Sequence, residues 1–371
     1  MRQLNRTRVA VSKDHIPLAP RVIQVLVIDD SHVARMLLKH ILEADPHIHV
    51  LGMLGNGQAA IDFVAQRRPD VILMDVHMPG MDGFETTRRI METYPAPIVI
   101  CTGVMNTEET ATAVRVFDAG AVACVEKPAG PRHSNFERTA SRIRQTVRLM
   151  SDVKVVRRWK ASRGVSPPAA GAGSLSENVA PATGIRCVGI GASTGGPVVL
   201  QTILGGLPAD FPAPLLIVQH IAHGFLGSLA EWLNQSTAFP VHIAIEGIHP
   251  LPGHAYLAPD DRHVLLGPDG RICLSDSEPE NGVRPAVSQL FRSLARVCGP
   301  NAVGVMLTGM GRDGASEMKE LRDAGAITIA QNHESSVVHG MPGQAIAVGA
   351  ASLVLPAEKI AARLSSLFRA G

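Results

Sequence analysis

Cys187-Val-Gly-Ile-Gly-Ala-Ser-Thr-Gly-Gly-Pro197 is an apolar run that breaks into glycines, presents Ser193 and Thr194, and passes into a helical pattern. Glycines ahead of a helix and proline near its start predict a strand, a tight turn and a helix. Ser193 then stands at the carboxyl end of a strand, beside the unpaired N–H groups of a helix N-terminus. That environment favours an oxyanion or a phosphate. A dinucleotide fingerprint fails, because after Gly189 and Gly191 the third glycine should fall at Thr194. Two readings stay open from this stretch alone. Ser193 caps a helix, or it is the nucleophile of the Gly-x-Ser-x-Gly turn Gly191–Gly195.

The same strand–turn–helix unit recurs outward from that turn. Apolar strands at Cys187–Ile190, Leu215–Val218, Val241–Ile245, Val303–Leu307, Ile327–Ala330 and Leu353–Leu355 alternate with helical patterns. Those patterns lie near Val198–Leu204, Phe225–Gln235, Ala286–Val297, Ala315–Ala324, Gly343–Val348 and Ala357–Phe368. Short runs at Ala255–Leu257, His263–Leu266 and Arg271–Leu274, separated by Pro-Asp-Asp and Pro-Asp-Gly, predict hairpins. Residues 184–371 therefore read as a doubly wound α/β domain with a β-hairpin insertion.

A serine nucleophile needs a base to take its proton and a carboxylate to orient that base. Among the 15 histidines, His220 ends the apolar run Ala213–Gln219, on the same sheet edge as Ser193. His223 invites a metal reading, but no third ligand lies at useful spacing. Asp313, in Val305-Met-Leu-Thr-Gly-Met-Gly-Arg-Asp-Gly314, follows a third strand. Its plainer role is capping the helix that starts near Ala315. Ser193, His220 and Asp313 each follow a different strand and face one edge. The order Ser, His, Asp is not that of the α/β-hydrolases.

Toward the N-terminus a second alternation occupies residues 21–150. Strands near Arg21–Ile28, His47–Leu54, Val71–Met74, Ile98–Cys101 and Val122–Val125 alternate with helices at Ser31–Ala44, Gln58–Arg67 and Phe84–Thr93. A helix ending at Ala119 and one at Phe136–Met150 complete a five-stranded parallel, flavodoxin-like domain. Asp29 and Asp30 end the first strand, Asp75 the third, Thr102 the fourth, and Lys127-Pro128 the fifth. Each has a bland role alone: Asp30 as a helix cap, Asp75 in a solvated loop, Lys127 as a surface charge. Together they converge on one edge. Three carboxylates repel unless a cation neutralises them, and Mg²⁺ suits oxygen ligands. Asp75 is then a phosphoryl acceptor, with Lys127 and Thr102 set to touch phosphate oxygens.

The rest of the chain bounds the function. A length of 371 residues suits two or three domains, and a net charge of +2 does not point to wholesale nucleic-acid binding. Residues 1–20 lack an apolar signal core, and no run is long enough to span a bilayer. The 5 cysteines are widely spaced in apolar patterns, which suits buried thiols in a reducing cytoplasm. Residues 151–183 form a linker: a basic run (Lys154, Arg157, Arg158, Lys160, Arg163), read as a solvated helix end, then Pro, Gly and Ala. A non-catalytic, DNA-binding output domain would need a helix-turn-helix and a basic face, and residues 184–371 carry neither. A general small-ester hydrolase is the other alternative.

With Met78-Pro-Gly-Met-Asp-Gly83, the acidic edge resembles the receiver domain of bacterial response regulators. Gly-Ala-Ser-Thr-Gly-Gly, Val-Gln-His, Leu-Thr-Gly-Met-Gly-x-Asp-Gly and Gly340-Met-Pro342 resemble the catalytic domain of chemotaxis-type protein-glutamate methylesterases, the CheB family. The resemblance implies hydrolysis of glutamate γ-methyl esters on receptor cytoplasmic helices, and deamidation of receptor glutamines. It implies a chemotaxis-type histidine kinase as phosphodonor to Asp75, a methyl-accepting receptor as substrate, and a cytoplasmic location. It also implies that the Met310 N–H and the Thr194 region receive the oxyanion, with no cofactor at the esterase site. Three departures stand out: Cys124 where receivers often carry an aromatic, Ala222 where the family usually has proline, and Asp260 where it has glycine.

Overall fold

A computed structural model describes residues 22–103, 119–133, 135–151, 153, 186–221 and 223–368. The 1–20 tail, most of the 151–183 linker, the body of the helix expected to end at Ala119, and Ala222 lie outside them.

The first sheet is built from β1 (Ile23–Ile28), β2 (Ile48–Leu54), β3 (Val71–Met74), β4 (Ile98–Thr102) and β5 (Ala123–Glu126). Its order is β2-β1-β3-β4-β5 and every pairing is parallel. A parallel sheet needs cover on both faces, which is why Val71, Ile72, Leu73 and Met74 are all fully buried instead of alternating. The helices are α1 (His32–Glu43), α2 (Gly57–Gln66), α3 (Gly83–Thr93) and α4 (Phe136–Met150). Ser31, Asn56 and Asp82 cap the first three through their side chains. Since Ser31 caps α1, Asp30 is not spent on that task.

The second sheet has seven parallel strands in the order β14-β13-β12-β6-β7-β9-β8. These are β6 (Cys187–Ala192), β7 (Leu215–Gln219), β8 (Val241–Ile243), β9 (Ala255–Leu257), β12 (Ala302–Met306), β13 (Ile327–Gln331) and β14 (Leu353–Leu355). Ala255–Leu257 is thus no hairpin arm. It joins the main sheet between β7 and β8, while β10 (His263–Leu266) and β11 (Ile272–Ser275) alone form the inserted hairpin. From β6 the chain builds outward through β7, and later returns to β6's other side with β12. Ligands of such sheets bind outside the carboxyl ends at that reversal.

One face is covered by α5 (Gly196–Gly206), α6 (Leu226–Ser236) and α10 (Ala357–Phe368), the other by α7 (Val287–Val297), α8 (Ala315–Asp323) and α9 (Met341–Ala347). Phe211 locks the first layer, its ring edge-on to Phe368 at 4.8 Å. Burying such a ring contributes about 2–3 kcal/mol. On the opposite face α7 presses so close to β6 that a Cβ on Gly189 would lie 2.4 Å from Leu294 Cδ1, and one on Gly191 2.4 Å from Val287 Cγ1. The glycines before Ser193 admit a helix, not a pyrophosphate. Among the described residues no helix is long and apolar enough to cross a membrane.

Candidate active site and phosphoacceptor pocket

Strand register brings the serine and histidine side by side. Ala192 on β6 is the partner of Gln219 on β7, so Ser193 and His220 are the next residue on each strand. The His220 N–H donates to the Ala192 carbonyl at 2.9 Å. Gln219 then clamps both: its Nε2 donates to the carbonyls of Ser193 and His220, each at 2.8 Å. On the far side of β6 the Ser193 N–H donates to the Thr308 carbonyl at 3.0 Å. The turn closes with Gly195 at φ 79°, a left-handed conformation that glycine adopts without strain. Gly309 sits so near that a Cβ there would lie 2.7 Å from Ser193 Cβ.

Asp313 arrives from beyond β12, with its Oδ2 3.0 Å from His220 Nε2. It does not cap the helix that follows it; Gly314 occupies the N-cap of α8 without a side-chain bond. Instead it caps a different helix. The first N–H groups of α7, from Val287 (2.6 Å) and Ser288 (3.2 Å), donate to its carboxylate, joined by the Ser288 hydroxyl (2.8 Å) and the Asn281 amide (3.1 Å). Burial pushes the Asp313 carboxyl up, but bonds from His220, Ser288 and the Val287 N–H outweigh it and hold Asp313 below its ordinary value. Since Nε2 faces Asp313, Nδ1 is the ring nitrogen left for Ser193. Among the described residues the Ser193 hydroxyl forms no hydrogen bond with His220. Catalytic bonds of this kind are often long until substrate binds.

Several supporting residues carried no flag in the sequence. Thr308 Oγ1 donates to the Thr194 carbonyl and accepts the Val338 N–H, both at 2.9 Å, while its own N–H donates to Gln331 at 2.7 Å. Gln219 and Gln331 both end apolar strands, a signal that could have marked them. His223 lies 3.7 Å from both Asp260 and Asp261, and Asp260 accepts the Gly224 N–H at 2.9 Å. The departure at Asp260 thus ties down the loop after His220, and His223 stands beside two carboxylates there.

At the first sheet's edge, one carboxylate oxygen each from Asp29, Asp30 and Asp75 lies within 4.8 Å of the others. Lys127 Nζ reaches Asp29 at 2.7 Å and Asp75 at 3.0 Å. Burial pushes the Asp75 carboxyl up; Lys127 pulls against that without cancelling it, and Asp29 adds to it. Three carboxylates facing one ammonium form an all-oxygen, under-neutralised donor set, which fits a hard divalent cation. Thr102 is buried at the end of β4, and its carbonyl accepts the Lys127 N–H at 2.7 Å.

The two domains also meet. Phe225, in the loop after His220, is buried in a cluster with Ile221 and with Cys124 of β5. Val338 belongs to the hydrophobic cluster of Val125, Ala140 and Ile143, with Met310 and Val337 packed beside it. Residues flanking the candidate site are therefore held against the first domain.

A family model described as CheB methylesterase matches residues 188–364, and one described as response regulator receiver domain matches residues 25–134. The chain is 50% identical to a protein-glutamate methylesterase/protein-glutamine glutaminase of Geobacter metallireducens, across 93% of this chain and 99% of that one. A protein of the same name from Nitrosospira multiformis is 52% identical, across 93% and 97%. The crystal structure of the Thermotoga maritima CheB methylesterase catalytic domain is 40% identical, with 50% of this chain and 99% of that one covered, at a TM-score of 0.48. A receiver joined to a methylesterase-type α/β domain is a response regulator with an enzymatic output. The chain belongs to the CheB family of protein-glutamate methylesterases/protein-glutamine glutaminases.

Proposed function

We propose that the chain hydrolyses γ-methyl esters of glutamates on the cytoplasmic helices of a methyl-accepting receptor and deamidates receptor glutamines, under control of phosphorylation at Asp75. The observation that carries the catalytic part is the His220–Asp313 pair at 3.0 Å, held where β7 ends beside Ser193. Ser193 Oγ attacks the γ-carbonyl carbon while its proton passes to His220 Nδ1. Asp313 stabilises the imidazolium that results. The N–H groups of Met310 and Thr194 receive the oxyanion; among the described residues neither donates a backbone bond elsewhere. One such donor is worth about 3 kcal/mol. The imidazolium returns its proton to the departing oxygen or nitrogen, releasing methanol or ammonia, and water repeats the sequence to free the glutamate.

The receiver, taken as residues 21–150, accepts its phosphoryl group from a chemotaxis-type histidine kinase. Asp29, Asp30 and Asp75 would hold Mg²⁺, which offsets phosphate charge when bound; Lys127 and Thr102 contact the phosphate oxygens. The linker 151–183 tethers this domain to the catalytic residues 184–371, and the whole acts in the cytoplasm. The packing of Cys124 on Phe225 and Ile221 supports a receiver that covers the catalytic cleft until Asp75 is phosphorylated.

Methanol release from methylated receptor and from a soluble methyl ester tests the reading. Wild type should favour the receptor strongly, and Ser193→Ala should lose at least about a thousandfold in kcat. Equal rates on both esters would point to a general esterase, and an active Ser193→Ala would remove the nucleophile.

A further inference from the structure

The Ser288 hydroxyl has more claimants than a hydroxyl can serve. A serine Oγ gives one hydrogen and receives on two lone pairs. Fully buried, it receives the Gly314 N–H and the Asn281 amide, each at 3.0 Å. Its hydrogen then has two carboxylate oxygens in reach, Asp313 Oδ1 at 2.8 Å and Glu317 Oε2 at 2.7 Å. It can point at only one. Glu317 is itself partnered: Arg292 of α7 lies 3.2 Å from its other oxygen and 2.7 Å from Glu280. A row of groups thus runs from His220 through Asp313, Ser288 and Glu317 to Arg292 and Glu280.

We propose that Glu317 is a positioning residue for the hydrolysis, drawing the Ser288 hydrogen away from Asp313 as His220 takes up its proton. The proposal rests on the assignment of Ser193, His220 and Asp313. With the hydrogen on Asp313, part of that carboxylate's charge is spent on the hydroxyl. Rotation of one O–H bond toward Glu317 returns the charge to Asp313 when the imidazolium needs it most. An interaction made more in the transition state than in the ground state appears in kcat and not in KM. Arg292 opposes it, because a cation beside Glu317 weakens its pull on the hydrogen. The groups facing the row are His220 after β7, Asp313 after β12, Glu317 and Glu320 on α8, Arg292 on α7 and Glu280 before α7. His263 on β10 closes the start of α7 by accepting the Ala286 N–H at 3.1 Å.

The full chain, activated with a small phosphodonor, is assayed for methanol release from methylated receptor across pH. Glu317→Gln keeps the shape and removes the charge. Its kcat should fall about tenfold at unchanged KM, and the acid limb should move to lower pH, since a charge favouring the imidazolium is gone. Arg292→Gln removes the opposing cation and should move the same limb to higher pH. In a Ser288→Ala background, Glu317→Gln should lose most of its effect. A packing role would damage both single variants alike. Shifts of one sign, no shift, or an undiminished effect without Ser288 would overturn the proposal. Asp313→Asn separates the two levels of inference. If it keeps wild-type kcat, the underlying assignment fails; if it is crippled while Glu317→Gln matches wild type, only the role of Glu317 fails.

Discussion

At the residue scale, the same side-chain chemistry is set to opposite purposes in the two domains. Asp313 accepts four hydrogen bonds and faces His220 at 3.0 Å, and is held below its ordinary value, whereas Asp75 is pushed above its own by burial beside Asp29. A carboxyl with a raised folded value destabilises the fold once ionised, and the loss is recovered only as pH falls through that value toward the ordinary one. Asp75→Asn should therefore melt higher than wild type near pH 7 without divalent cation, and the gap should close as pH falls to the ordinary carboxyl value of about 4. Mg²⁺ should stabilise wild type more than the variant. Thermal melts at several pH values, with and without the cation, read both effects. The candidates Ser193, His220 and Asp313 could be picked out because each follows an apolar strand, Asp313 after a glycine-rich turn. Ser288 and Glu317 were not, since a serine and a glutamate in helical patterns look like ordinary helix residues.

At the scale of elements, the contact of α7 with β6 is the joint on which the site depends. Val287 both presses on Gly191 and donates its N–H to Asp313. A β-branched side chain has little rotamer freedom to yield, so Gly191→Ala should displace the start of α7. The expected cost is about 1–3 kcal/mol in a denaturant melt, with a fall in kcat larger than the residual folded fraction explains. A variant that melts like wild type and turns over normally would contradict the joint. Strands and helices longer than a few residues could be read from periodicity, and several bounds agree to the residue, as at Phe136–Met150. Ala255–Leu257 could not. Three apolar residues between turn signals fit a hairpin arm or a parallel strand equally, and only the neighbours β7 and β8 decide. The capping of α7 by Asp313 was hidden for a similar reason, because the cap comes from across the fold and not from the preceding turn.

At the scale of the molecule, the receiver meets the catalytic domain through unremarkable apolar residues, Cys124, Phe225 and Val338 among them. Nothing in their spacing announces an interface. Cys124→Asp would set a charge against Phe225 without altering the catalytic domain, and an unpaired buried charge is costly. Methanol release in the absence of phosphodonor should rise severalfold, while the phosphorylated rate changes little. An unphosphorylated rate equal to wild type would argue against cover by this contact.

The reversal of strand order around β6 has a consequence for how activity is born. Cys187 and Ala302, remote in the chain, are register partners, and the candidate site lies beyond the carboxyl ends of their two strands. Pairings of that kind form late, because a long loop must be closed before any contact rewards it. A nascent or partly unravelled chain thus holds its serine and histidine on one fragment and its aspartate on another. On the proposed assignment, such a chain should cleave esters far more slowly than the folded protein.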